Sequence, residues 1–103
     1  MMLYPFITEP DGTEIVYSDI FHIENDKTDY VKVLFERVNP ITNKFDSMEC
    51  VLPGGKLSNI IGFSTKDVIK RQHIIDELTP MILECAKEDL EDEHAWNNDN
   101  FGI

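Results

Sequence analysis

The side chains best equipped for chemistry lie at the C-terminal end. Between residues 84 and 103 stand Glu84, Glu88, Asp89, Glu91, Asp92, Glu93 and Asp99 against the single base Lys87, so this segment carries −6 of the chain's net −11. A row of carboxylates offers attraction to a basic surface rather than bond making. If residues 84–99 are helical, they span roughly 24 Å at a rise of about 1.5 Å per residue, or one carboxylate per about 3.4 Å of axis. One DNA strand has the same axial spacing of phosphates, about 3.4 Å. Helical rotation spreads those charges around the axis, so a solvated tail that only aids solubility is the plain alternative. Trp96 and Phe101 weigh against it, because large aromatics are typical binding anchors; they could equally fold back on the chain's own core.

Other constellations are thinner. His22, His73 and His94 fall on separate segments, and no pair has the i, i+4 spacing that sets two imidazoles on one helix face for a metal. Cys50 and Cys85 form no CxxC spacing and have no activating base, which points to buried thiols rather than a disulfide or a nucleophile. Glu84 and Glu88 would raise the pKa of Cys85 if near it. Asp11, Asn25, Asp26 and Asp29 fit turn chemistry, and the D-x-[DN]-x-[DN]-G calcium pattern is absent. Gly54-Gly55-Lys56 lacks the rest of a phosphate loop. The reading therefore assigns no catalytic residue, no metal and no cofactor. The only polar participants open to a small enzyme or ligand-binding cleft are His73, Glu77 and Tyr17, which no spacing unites.

The elements that must position these residues are punctuated by turns. Pro10-Asp11-Gly12-Thr13, Asn25–Asp29 and Asn39–Asn43 separate β-branched and aromatic runs, predicting strands over about 3–8, 13–23, 30–38 and 44–52. Short connections make them antiparallel. Val31, Val33 and Phe35 alternate with Lys32 and Glu36, and Met48, Cys50 and Leu52 with Ser47 and Glu49, so one face is apolar. Tyr30, Leu34 and Val38 make the other face mixed and open to partial cover, including by a second copy.

Pro53-Gly54-Gly55 closes the sheet, and a loop runs through Ile60–Phe63 to Ser64, three residues before Asp67, a capping-box start. Val68, Ile69, Gln72, Ile75 and Leu78 recur at helical spacing, with Lys66, Lys70 and Arg71 on other faces, which predicts a helix over about 65–78. Thr79 as N-cap and Pro80 at the first helical position start a second helix over about 80–94, with Ile82, Cys85, Ala86 and Leu90 as its buried stripe. Strands followed by helices imply an α+β fold, a four-stranded antiparallel meander packed on two C-terminal helices. The 103 residues suffice for one domain, 1–96, followed by a frayed acidic and aromatic tail, 97–103.

The charge balance argues against direct contact with nucleic acid or an anionic membrane. No apolar run reaches the roughly 20 residues of a membrane span, and Met1–Pro5 lacks the basic region of a secretory signal, which points to a cytoplasmic location.

Tyr4–Ile7, Asp11–Asp19, Val33–Arg37 and Gly62–Ser64 resemble a family of small bacterial and phage acidic α+β proteins with no established activity, over about the first two thirds of the chain. The resemblance implies a short α+β protein of bacterial or phage origin and no functional residue. In size and charge alone the chain is also similar to antitoxins and phage-encoded inhibitors of defence nucleases. The expectation is a non-catalytic interaction protein. Its acidic surface (Glu84, Glu88, Asp89, Glu91, Asp92, Glu93, Trp96, Phe101) would engage a basic surface of a nuclease, toxin or other nucleic-acid-binding protein, DNA mimicry against a defence system included.

Overall fold

A computed structural model describes the backbone of residues 2–101 and the side chains of residues 2–91. Strands β1 (Leu3–Thr8), β2 (Glu14–Ser18), β3 (Val31–Val38), β4 (Phe45–Leu52) and β5 (Ser58–Ile61) precede one helix, α1 (Thr65–Phe101). The strands pair antiparallel in the order β1-β2-β3-β4-β5. The α+β class with strands first is thus as expected, but among the described residues the sheet has five strands rather than four and the helices are one rather than two.

The turns form for the reasons legible in their residues. The Asp11 carboxylate accepts the Thr13 N–H at 2.9 Å while Gly12 takes φ +91, folding β1 back on β2. Asn39 Oδ1 accepts the Ile41 N–H at 2.9 Å, and Asn43 sits at φ +56 to close the β3–β4 hairpin. β2 stops at Ser18, well short of residue 23, because the Ser18 hydroxyl takes over the ladder: its Oγ accepts the Lys32 N–H at 2.9 Å and donates to the Asp19 carbonyl. Beyond it, only a lone bridge joins Phe21 to Tyr30, whose rings stack 5.9 Å apart.

The added strand, β5, replaces the expected loop. It pairs Ile61 with Ser47 and Ser58 with Glu49 around an irregularity, with Asn59 at φ +50. All four of its residues are exposed, so it has no buried alternation to betray it.

The helix begins with the capping box read from the sequence. Ser64 Oγ accepts the Asp67 N–H at 3.2 Å and the Asp67 carboxylate accepts the Ser64 N–H at 3.4 Å. The expected break at Thr79-Pro80 is corrected: Pro80 lies inside α1. Thr79 does not cap a new helix. Its hydroxyl donates back to the Ile75 carbonyl at 2.7 Å, one turn earlier. Ile75 on one side of the proline and Ile82 and Ala86 on the other are all buried in a common core, which holds the helix together through the missing hydrogen bond. Thirty-seven residues make a rod of about 55 Å, which sets the molecule's 54 Å long axis.

Ile15, Tyr17, Val31, Val33, Phe35, Met48, Cys50 and Leu52 fill the inner sheet face against Ile75, Ile82 and Ala86, as the strand alternation predicts. Within the helix the stripe is shifted from the expected one. Ile69 is 56% exposed and Arg71 is 1% exposed, the reverse of their assigned sides. Val68, Arg71, Ile75 and Leu78 form the seam instead, a spacing of three and four that runs on to Ile82.

Candidate functional site

On α1 the acidic residues divide into two roles. Glu84, Glu88 and Glu91 are exposed, and their spacing of four and three sets them on one stripe. Among the described residues none of the three has an ion-pairing base, Lys87 included. Asp89 instead turns inward and accepts the Tyr17 hydroxyl at 2.6 Å, joining the helix to β2. Burial first, and then the Asp89 carboxylate, push the Tyr17 phenol well above its ordinary value, so it stays a neutral donor. Asp92, Glu93, Trp96 and Phe101 lie outside the residues whose side chains are described; of the segment expected to fray, 97–103, the backbone is helical as far as Phe101, and 102–103 lie outside the described residues.

Among the described residues a dense group of charged side chains lies elsewhere, where the β1–β2 turn, β3, β4 and the start of α1 meet. Arg71 Nη2 donates to Glu9 at 2.8 Å, to Asp11 at 2.9 Å and to the Thr13 hydroxyl at 3.2 Å. Arg37 donates through Nε to Asp46 at 2.9 Å and through Nη1 to Asp11 at 3.1 Å, and reaches Asp67 at 3.4 Å. Both guanidiniums lie against the Phe63 ring, 4.2 and 5.1 Å from its centre, where the negative face of the π system favours a cation. Hydrogen bonds from Thr13, with the two arginines adding to them, lower Asp11 to about 2. Burial raises Asp67, but the Ser64 hydrogen bonds and both arginines outweigh it and hold Asp67 low.

The guanidiniums are engaged by the chain's own carboxylates, so this cluster binds turn, sheet and helix together rather than an external anion. Sequence reasoning missed it. Its signal was Arg71 itself, three residues after Val68 and four before Ile75, an arginine on an apolar seam that needs buried partners.

Of the residues open to an enzymatic reading, His73 and Glu77 are exposed on α1, whereas Tyr17 is buried against Asp89; no hydrogen bond or ion pair joins the three. The described residues line cavities, two of which bear on this reading. One, of about 270 Å³, follows the β1–β2 pair from Pro5 to Thr8 and Glu14 to Val16. The other, of about 300 Å³, lies beside the proline of α1 between Ile20, Asp29, Pro53, Pro80, Leu83, Glu84 and Lys87. Neither is lined by His73, Glu77 or Tyr17. His22 pairs with Asp29 at 2.7 Å on the surface.

Burial raises the Cys50 thiol to about 12, and burial followed by Glu88, Asp89 and Glu84 raises Cys85, so both remain thiols at neutral pH. No described helix is long and apolar enough to cross a membrane. Comparison of the chain with protein-family models, with curated proteins and with solved structures finds no match.

Proposed function

We propose that this protein acts without catalysis, as a binding protein whose acidic α1 face enters a basic groove of a nucleic-acid-binding partner, in the manner of a nuclease inhibitor or an antitoxin. The observation that carries the reading is the Glu84–Glu88–Glu91 stripe: three exposed carboxylates on one face of a continuous helix, with no ion-pairing base among the described residues. A helix anchored by Ile82, Ala86 and the Tyr17–Asp89 hydrogen bond presents them with little further ordering. Their axial spacing averages about 5 Å, wider than the phosphate rise of one DNA strand at about 3.4 Å. The stripe therefore suits a groove lined by spaced lysines and arginines better than a close copy of duplex DNA.

The test is association of the full chain with purified basic nucleases and toxins over a range of salt. For a true partner, E84Q/E88Q/E91Q lowers the association rate by about tenfold and flattens its salt dependence, because steering acts on the encounter. An unchanged rate and slope in a variant with an unaltered circular dichroism spectrum overturns the proposal.

A further inference from the structure

The sheet has a second face, which α1 does not cover, and the strand register maps it. Glu36 of β3 stands opposite Glu14 of β2 on one side and opposite Ser47 of β4 on the other. Ser47 in turn faces Ile61 of β5, and one step along the hairpin Val38 pairs with Phe45. Val33, Phe35, Met48 and Cys50 point into the core, so the alternate residues Glu36, Val38, Phe45 and Ser47 share the outer side.

Two properties of this side are unusual together. Val38, Phe45 and Ile61 are 56%, 63% and 61% exposed, and they surround Ser47 as one apolar patch rather than as scattered single residues. Beside the patch, Glu14 and Glu36 face each other across adjacent strands, an arrangement that places their Cβ atoms about 5 Å apart and disfavours like charges. No base lies within ion-pairing distance of either, among the described residues. The same face neutralises a carboxylate where it has the means: Lys32 holds Glu49 at 2.6 Å.

We infer that this outer face, separate from the α1 stripe, is a docking surface for a segment of another protein that presents a lysine or arginine between apolar side chains. Charge selects this occupant. The ladder residues of the face carry Glu14, Glu36 and Glu49 against Lys32, a surplus of two negative charges. A second copy would set that surplus against its own equal, and an anionic lipid surface or a nucleic acid would be repelled in the same way. A cation seated between Glu14 and Glu36 removes the repulsion, while its apolar neighbours cover Val38, Phe45 and Ile61.

The experiment uses the full chain and a labelled synthetic peptide of alternating leucine and arginine, with a glycine–arginine peptide of equal charge as reference, at near-physiological salt. E36Q and F45S each weaken leucine–arginine binding by about tenfold and leave the reference peptide nearly unaffected. E24Q, at an exposed carboxylate on neither surface, changes the net charge as much as E36Q does and leaves the affinity unchanged. E36Q also raises Tm by about 2 °C, since it relieves a like-charge pair. Equal weakening by E36Q and E24Q shows general charge attraction and overturns the inference. So does concentration-dependent self-association abolished by F45S, which makes a second copy the occupant, and so does binding to phosphatidylserine vesicles through the same residues. The α1 proposal is judged separately, by whether E84Q/E88Q/E91Q alters nuclease or toxin association.

Discussion

Replacing Arg71 by methionine tests the account of what fastens α1 to the sheet. The side chain is 2% exposed and meets Glu9 and Asp11 within 3 Å, with Thr13 just beyond. Methionine keeps most of the packed length but removes the charge. Asp11 retains Arg37; Glu9, with a side chain 11% exposed, loses its cation entirely. Stranding a buried carboxylate in this way costs about 3–5 kcal/mol, a large part of the roughly 5–15 kcal/mol that holds a domain of this size. A loss near 3 kcal/mol corresponds to a fall in Tm of about 12–24 °C for a domain of roughly 100 residues. Urea unfolding followed by circular dichroism measures it. The double variant E9M/R71M removes the stranded charge along with its partner. It should recover at least about 1 kcal/mol, because an apolar pair of similar volume often equals or exceeds a buried ion pair. Recovery is helped by two atoms the network already leaves without partners, Arg71 Nε and Glu9 Oε1. A loss below about 1 kcal/mol in R71M, or no recovery in E9M/R71M, refutes the reasoning.

Three further outcomes follow from the same structure. G62A is expected to lose about 3 kcal/mol in urea unfolding: Gly62 sits at φ +80, and an added Cβ falls 1.9 Å from the Asp46 carboxylate, so backbone strain adds to displacement of a buried partner of Arg37. Because Asp11 is lowered from 3.8 to about 2 in the fold, its contribution is complete above pH 4 and is lost as the pH falls from about 4 to 2. After allowance for its 42% exposed side chain that contribution is about 1 kcal/mol, and D11N should flatten the acid limb of a stability–pH curve over that interval. P80A restores the N–H that the Asp76 carbonyl lacks and, at an exposed position, should stabilise by about 1–3 kcal/mol; no gain in Tm would show that the packing of Ile75 and Ile82 needs a bend there.

What the sequence made legible was mostly local. Asp11-Gly12 and Asn43 announce their turns because each supplies a conformation that few residues tolerate, and Val31–Phe35 and Met48–Leu52 announce a face because burial there is complete on one side. The errors arose where a local preference was outweighed from a distance. Thr79-Pro80 is a good helix start in isolation, but the core already holds Ile75 and Ile82, so a broken hydrogen bond is tolerated within one helix. Arg71 reads as a surface residue until Glu9 and Asp11, some sixty positions earlier, are brought beneath it. β5 carries no periodic signal at all, since its stability comes from the edge of β4.

The same distinction governs the candidate surfaces. The acidic total of −11 reads as one property of the chain, yet folding gives its carboxylates different tasks. Glu9, Asp11, Asp46 and Asp67 are spent inward on two arginines, and Asp89 on a tyrosine. Those that remain exposed with no cation paired to them among the described residues include Glu84, Glu88 and Glu91 on the helix and Glu14 and Glu36 on the open sheet face. Only the first group could be singled out by position in the chain, because its members lie within eight residues of one element. Glu14 and Glu36 are separated by the long β2–β3 loop, and become a pair only through the β2–β3 register. For the basic partner proposed above, the register and burial, rather than the acid bias of the sequence, decide which carboxylates are free to meet it.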